Sequence, residues 1–240
     1  MTHRRQVRTF ARRGRINDTS AAARVDLWPL YGVSVVDHDV PALDFTALFG
    51  RSAPVVLEIG FGMGDATAKM AADDPGRNYL AVDVHAPGQG NLLQLIHSGE
   101  LSNLRVADGD ALELLRHQVA ADSLDAIHIY FPDPWPKVKH HKRRLVQPEH
   151  LPLLRSRLRP GGVLHMATDW EPYAKAALAA LTAEPGLVNT YEEFADRPKS
   201  RPVTKFERRG LKAGREVFDL IFRRAGSGSA SPTMPSGRAV

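Results

Sequence analysis

Five apolar, β-rich runs punctuate the chain: VVLEI (55–59), NYLAVDV (78–84), NLRVA (103–107), LDAIHIYF (124–131) and VLHMAT (163–168). Helix-like stretches fall between them, near 64–72, 88–97, 110–119, 149–158 and 171–182. Strand–helix alternation with short links predicts an α/β fold, a mostly parallel sheet with helices on both faces. The runs are nearly continuous in apolar residues, as in strands covered on both sides. A last run, EVFDLIF (216–222), follows a charged loop and has no helix after it, so it reads as an added antiparallel edge strand. In such sheets ligands bind beyond the C-terminal ends of the strands.

The flanks differ in composition. Residues 1–25 read as a mobile basic arm, 26–224 as one folded domain, and 225–240, rich in Gly, Ser and Pro, as a disordered tail. A chain of 240 residues that is 43% hydrophobic suits one domain with a sizeable core. No apolar run is long enough to span a bilayer, so no membrane partner is expected. The absence of cysteine excludes disulfides and thiolate chemistry and fits a cytoplasmic protein.

Charge changes the picture through its distribution. The net value is +5, but residues 1–15 carry six arginines and no acid, 137–144 (KVKHHKRR) five cations, and 197–215 eight cations against Glu207. Any one cluster reads as solvated surface; three together point to an anionic polymer. His140 and His141 lie in the second cluster, where neighbouring cations make them poor metal ligands, and no metal site is expected.

The candidate chemistry begins after the first strand, at Glu58-Ile59-Gly60-Phe61-Gly62-Met63-Gly64-Asp65. Alternating glycines allow a tight turn and close approach of a ligand. The dinucleotide pattern G-x-G-x-x-G fails, because Asp65 or Thr67 stands where its third glycine is due. Glu58 and Asp65 would also repel a pyrophosphate, whereas they suit a ligand carrying an ammonium and a sulfonium, such as S-adenosylmethionine. Asp83 ends the second strand, where a carboxylate can accept from both ribose hydroxyls. Asp110 follows the third strand and suits either an adenine edge or a helix N-cap. After the fourth strand, Phe131-Pro132-Asp133-Pro134-Trp135-Pro136-Lys137 forms a stiff turn next to the basic run. An aromatic beside a carboxylate, then cations, can form a base pocket beside a phosphate grip.

These segments resemble the bacterial tRNA (guanine-N7-)-methyltransferases. The matching pieces are LEIGFGMG (57–64), VDVHAPG (82–88), FPDPWPKVKHHKRR (131–144), HMATDWEPYA (165–174) and SRPVTKFERRG (200–210), with VRTFARRGR (7–15) and LWPLYGV (27–33) near the start. The resemblance covers roughly 7–224. It implies a Rossmann-like class I S-adenosylmethionine-dependent methyltransferase fold with a seven-stranded sheet. It implies cofactor binding by Glu58, Gly60, Gly62, Gly64, Asp83, Asp110 and Asp133, with Asp133 also the catalytic carboxylate at the active centre. Lys137, Asp169, Thr204, Lys205, Phe206 and Glu207 match positions the family uses for RNA, and a variable-loop guanine of tRNA is the implied target. Asp83 departs from the Glu that many members carry. No obligatory protein partner is expected. Guanine N7 carries a free lone pair, so its methylation requires no base; a fixed carboxylate such as Asp133 would stabilise the positive charge the ring gains. The alternative from a different class is a non-catalytic RNA-binding protein that retains the fold.

Overall fold

Residues 16–226 are described by a computed structural model of the protein. In chain order they form α1 (Asp18–Asp26), α2 (Trp28–Tyr31), β1 (Gly32–Ser34), α3 (Phe45–Phe49), β2 (Val55–Ile59), α4 (Asp65–Asp73), β3 (Asn78–Asp83), α5 (Ala86–Ser98), β4 (Leu104–Asp108), α6 (Ala111–His117), β5 (Leu124–Tyr130), α7 (Leu151–Arg157), β6 (Leu158–Thr168), α8 (Glu171–Ala183), β7 (Leu187–Asn189), α9 (Lys205–Lys212) and β8 (Phe218–Arg224). A 3-10 turn over Val138–Arg143 follows β5. The strands form one sheet in the order β1-β4-β3-β2-β5-β6-β8-β7.

Side chains alternate across the strands. Val55, Leu57 and Ile59 of β2 join one core with Leu80, Val82 and Ile127, while Val56 joins a second with Tyr79, Ala81 and Leu92. All five residues of β2 are buried, which explains the continuous apolar runs. Helix starts are written locally. Asp110 accepts from the Leu112 N–H at 2.8 Å to cap α6, and α5, α7 and α8 each place proline in their first turn, where no N–H is needed.

The sheet holds eight strands, against the seven expected. The run at 216–222 becomes β8, antiparallel to β6 as anticipated, but β7 pairs outside it and forms the edge. At the other edge β1 pairs in parallel with β4. Strands β1 and β7 have three residues each, too few for a period to show. Strand β6 starts at Leu158, five residues earlier than its apolar run, because an irregularity in the pairing between Leu124 and Ala126 absorbs Arg159-Pro160-Gly161-Gly162.

The boundary expected at residue 25 falls inside α1. This helix is capped by Asn17, which accepts from the Ser20 N–H at 2.7 Å, and it packs so closely on α5 that a Cβ at Gly90 would lie 2.4 Å from the Ser20 carbonyl oxygen. Arg24 reaches across to Asp108 at 2.8 Å. The basic segment 1–15 and the tail 227–240 lie outside the described residues.

The order reverses at β2, whose neighbours are β3 on one side and β5 on the other. A crevice opens beyond the C-terminal ends of strands at such a point. Here those ends carry the glycine loop, Asp83 and the Asp133 turn.

Candidate active site

Gly60, Gly62 and Gly64 all adopt positive φ, at 83°, 62° and 84°, a region that side chains strain to enter. The loop they form is fixed from behind. The Gly60 N–H donates to the Val82 carbonyl at 2.9 Å, and the Gly62 N–H donates to Asp83 Oδ2 at 2.9 Å. Helix α5 presses on the same loop through Gly88, where a Cβ would lie 1.7 Å from the Gly62 carbonyl oxygen.

The loop floors a cleft of about 770 Å³, within the ~300–1,000 Å³ usual for small-molecule sites. Its walls are Glu58, Asp65, Tyr130 and Phe131, and its rim is Lys69 with Lys205, Phe206, Arg208, Arg209 and Lys212. Glu58 is 3% exposed, and its Oε2 has no partner within the protein. Burial pushes its carboxyl up to about 7, with the charge of Asp83 adding to the effect. Thr67, which is buried beside it, opposes that rise through a side-chain hydrogen bond, and the unsatisfied oxygen stands at the end of β2 in a residue that lines the cleft.

The other two acids expected at the cofactor sit at the same sheet edge, off the cleft wall. Asp83 accepts from Gly62 N–H through one oxygen and from His85 N–H, at 3.0 Å, through the other. Burial raises the Asp83 carboxyl above its ordinary value, against the pull of the Gly62, His85 and Val84 N–H groups and of the His85 ring. Asp83 pairs in register with Asp108, which places Asp110 two residues beyond the end of β4. Burial also raises Asp110. Gln89 links the two strand ends, donating to the Asp83 carbonyl and to Asp108 Oδ1, both at 2.7 Å.

The turn after β5 is strained. Phe131 and Trp135 hold positive φ of 51° and 43° without being glycine. Phe131 N–H donates to the Ala167 carbonyl at 2.7 Å, and Arg144, itself buried, donates to the Pro134 carbonyl at 2.9 Å. Asp133 is exposed between these anchors. Trp135, a candidate aromatic face for a base, is buried instead: the Arg143 guanidinium lies 4.8 Å from its ring centroid and His140 packs edge-on at 5.7 Å. Lys137 is exposed at the start of the 3-10 turn.

The residues expected at the RNA divide. Lys205 and Phe206 are exposed and line the cleft, with Phe206 ring carbon Cε2 4.0 Å from where a Cβ on Gly62 would stand. Thr204 caps α9, accepting from the Glu207 N–H at 3.1 Å. Glu207 is buried and returns the bond to the Thr204 N–H at 3.3 Å, completing a capping box. Asp169 pairs with Arg215 at 2.8 Å. Sequence reasoning missed Arg201, which is fully buried against Glu207 and Asp219. Its neighbours in the chain look like solvated charge, and its partner Asp219 sits in an apolar strand.

Among the described residues no cluster of His, Cys, Asp and Glu is arranged to hold a metal, and no helix is long and apolar enough to cross a membrane.

This sheet order, with an acid and glycine loop at its reversal, defines a class I methyltransferase fold. The solved 16S rRNA methyltransferase KamB shares it, with a TM-score of 0.57 at 20% identity over 80% of this chain and 99% of that one. Residues 52–220 match the family model described as a putative methyltransferase. The chain is 56% identical to the tRNA (guanine-N(7)-)-methyltransferase of Streptomyces avermitilis over 92% of its own length and 76% of the relative's. It is 49% identical to the enzyme of the same name from Nitrosospira multiformis, over 92% and 95%. The chain belongs to the tRNA (guanine-N(7)-)-methyltransferase family.

Proposed function

We propose that the protein transfers a methyl group from S-adenosylmethionine to N7 of a variable-loop guanine in tRNA, in the cytoplasm and without an obligatory protein partner. The observation that carries this reading is the cleft itself: a desolvated Glu58 with one unsatisfied oxygen inside and a row of cations outside. The donor set fits the cofactor's ammonium and sulfonium and disfavours a phosphate-bearing nucleotide, since Glu58 and Asp65 line the cleft. Glu58, Gly60, Gly62, Gly64, Asp83, Asp110 and Asp133 would hold the cofactor, which supplies an electrophilic methyl group when bound.

The protein's part in the reaction is placement and charge. Asp133, projecting from a turn pinned by Arg144 and Ala167, would stand beside the guanine and stabilise the positive charge its ring gains on methylation. N7 needs no proton removed, so no group has to act as base. Asp169 would accept from the guanine's N1–H and amino group, Thr204, Lys205 and Phe206 would bound the base from α9, and Lys137 would meet phosphate. The rim cations draw the polyanion to the cleft.

Incubating the protein with S-adenosylmethionine and unmodified tRNA, digesting the RNA and analysing its nucleosides by mass spectrometry tests the proposal. It predicts 7-methylguanosine that depends on the protein. Binding of both cofactor and tRNA without any methylated nucleoside would refute it and leave a non-catalytic RNA-binding protein on this fold.

A further inference from the structure

Helix α9 bounds the cleft, yet it is scarcely packed. Of its eight residues only Glu207 and Gly210 are buried, while Phe206 and Leu211 are 59% and 53% exposed. A helix this short is not stable alone, and little apolar surface holds this one down. Ion pairs hold it instead. Arg201 donates to Glu207 from Nη1 to Oε2 at 2.7 Å and from Nη2 to Oε1 at 3.1 Å. The same guanidinium donates to Asp219 of β8, from Nε at 2.8 Å and from Nη2 at 2.9 Å. Its face lies over Tyr130 and Phe131, with ring centroids 5.8 and 5.7 Å away, where β5 passes into the Asp133 turn. His165 Nε2 braces Asp219 from behind at 2.6 Å. Beyond the far end of α9, Arg215 pairs with Asp169.

We propose that Arg201 is a positioning residue for methyl transfer and that Glu207 acts through Arg201, not on the guanine. The pair fixes the edge of α9 that carries Lys205 and Phe206 against the cleft, and it ties that edge to the turn bearing Asp133. Both oxygens of Glu207 are taken, one by Arg201 and the other by Arg201 and the Thr204 N–H, and its side chain is 3% exposed. A base-reading role would require this buried pair to break, leaving Arg201 Nη1 without its acceptor and Nη2 with only Asp219. The kinetic part of this inference rests on the proposed tRNA methylation; the structural part does not.

Arg201→Lys and Glu207→Gln test it. Lysine cannot reproduce a fork that grips two carboxylates at once. Amide hydrogen exchange over 205–213 should accelerate by about tenfold or more in both variants, because α9 opens locally. In folded enzyme well below its Tm, kcat/KM for tRNA should fall by about tenfold in each, and the double variant should be no worse than the poorer single one. Unchanged exchange over α9 in Arg201→Lys would overturn the proposal. So would losses that multiply in the double variant, since Glu207 would then act on substrate independently. Should Arg201→Lys not fold, exchange in Glu207→Gln decides alone, with native protection of α9 counting against the clamp. If the parent protein methylates no tRNA, the activity reading falls and the exchange measurement still judges the clamp.

Discussion

Gly88→Ala should cripple cofactor binding from outside the cleft. Gly88 lies in the first turn of α5, facing the back of the glycine loop. An added Cβ would lie 1.7 Å from the Gly62 carbonyl oxygen and 2.9 Å from its carbon. Carbon and oxygen tolerate about 3.3 Å, so helix and loop must separate by roughly 1.6 Å. Neither yields easily. The loop is tied through the Gly60 and Gly62 N–H groups to Val82 and Asp83, and α5 is tied through Gln89 to Asp83 and Asp108. Overpacking of this kind costs about 1–3 kcal/mol. At about 2–4 °C per kcal/mol for a domain of this size, Tm should drop by roughly 2–12 °C. Because the loop floors the cleft, affinity for S-adenosylmethionine, measured by calorimetric titration at 20–25 °C, should fall by more than about tenfold. Gly50→Ala is the control. Its φ is 69° with open space around the Cβ, at the end of α3, so it should lose about 1–2 kcal/mol of stability and no affinity. A Gly88→Ala protein that binds cofactor within about twofold of the parent would refute the view that α5 sets the loop.

Asp133→Ala should abolish turnover while cofactor affinity stays within about tenfold, on the order of 1.4 kcal/mol; retained single-turnover methylation would remove Asp133 from the chemistry. Burial pushes the Glu58 carboxyl up to about 7 in the folded protein, above the 4.5 of a free side chain, so its contribution to stability is intact below the lower value and is lost as pH rises through the higher. The free protein should therefore lose about 3 kcal/mol between pH 4.5 and 8 from this group, and cofactor affinity should rise over the same window as the carboxylate forms. Urea titrations at several pH values check the first part, and a Glu58→Gln variant whose pH slope matches the parent's would contradict it. Lys139→Ala and Lys142→Ala in the exposed basic turn should each flatten the slope of log affinity for tRNA against log salt by about one, weakening all tRNAs alike; an unchanged slope would place that turn away from the RNA.

What the sequence revealed, and what it hid, follows from how far each signal reaches along the chain. Strands β2 to β6 were legible because burial on both faces leaves an unbroken apolar run, whereas three-residue edges such as Leu187–Asn189, with Val188 half exposed, carry no period. That Glu58 and the glycines share one cleft was legible because they are consecutive in the chain, the strand running straight into the loop. The burial of Trp135, an aromatic that can form a base pocket by its place in the sequence, was not legible, since only the fold brings Arg143 and His140 onto its ring. The basic clusters were overcounted as surface: Arg144 and Arg201 are buried, one gripping a carbonyl and the other two carboxylates. Asp219, eighteen residues from Arg201 and inside an apolar strand, gives no local hint of that pairing.

The cleft reverses its electrostatic sign over a short distance, and this reversal joins the two halves of the proposed reaction. Inside, Glu58 is desolvated, so once it is ionised its field is weakly screened and acts on whatever touches it. Outside, Lys69, Lys205, Arg208, Arg209 and Lys212 stand on the rim, where salt limits their reach to about 8 Å but their number favours a polyanion. A cationic donor and an anionic acceptor would pair indiscriminately in water. Here each meets its own counter-charge first, so the remaining freedom is geometric, and it is set by α9 and the Asp133 turn. Arg201 lies at the junction of those two elements, contacting Glu207 on one and Phe131 at the root of the other. On the proposed reaction the donor loses its positive charge and the guanine gains one beside Asp133. On that proposal Glu58 would then hold a ligand with one cationic group fewer, and its charge would retain the product less strongly than it drew the donor in.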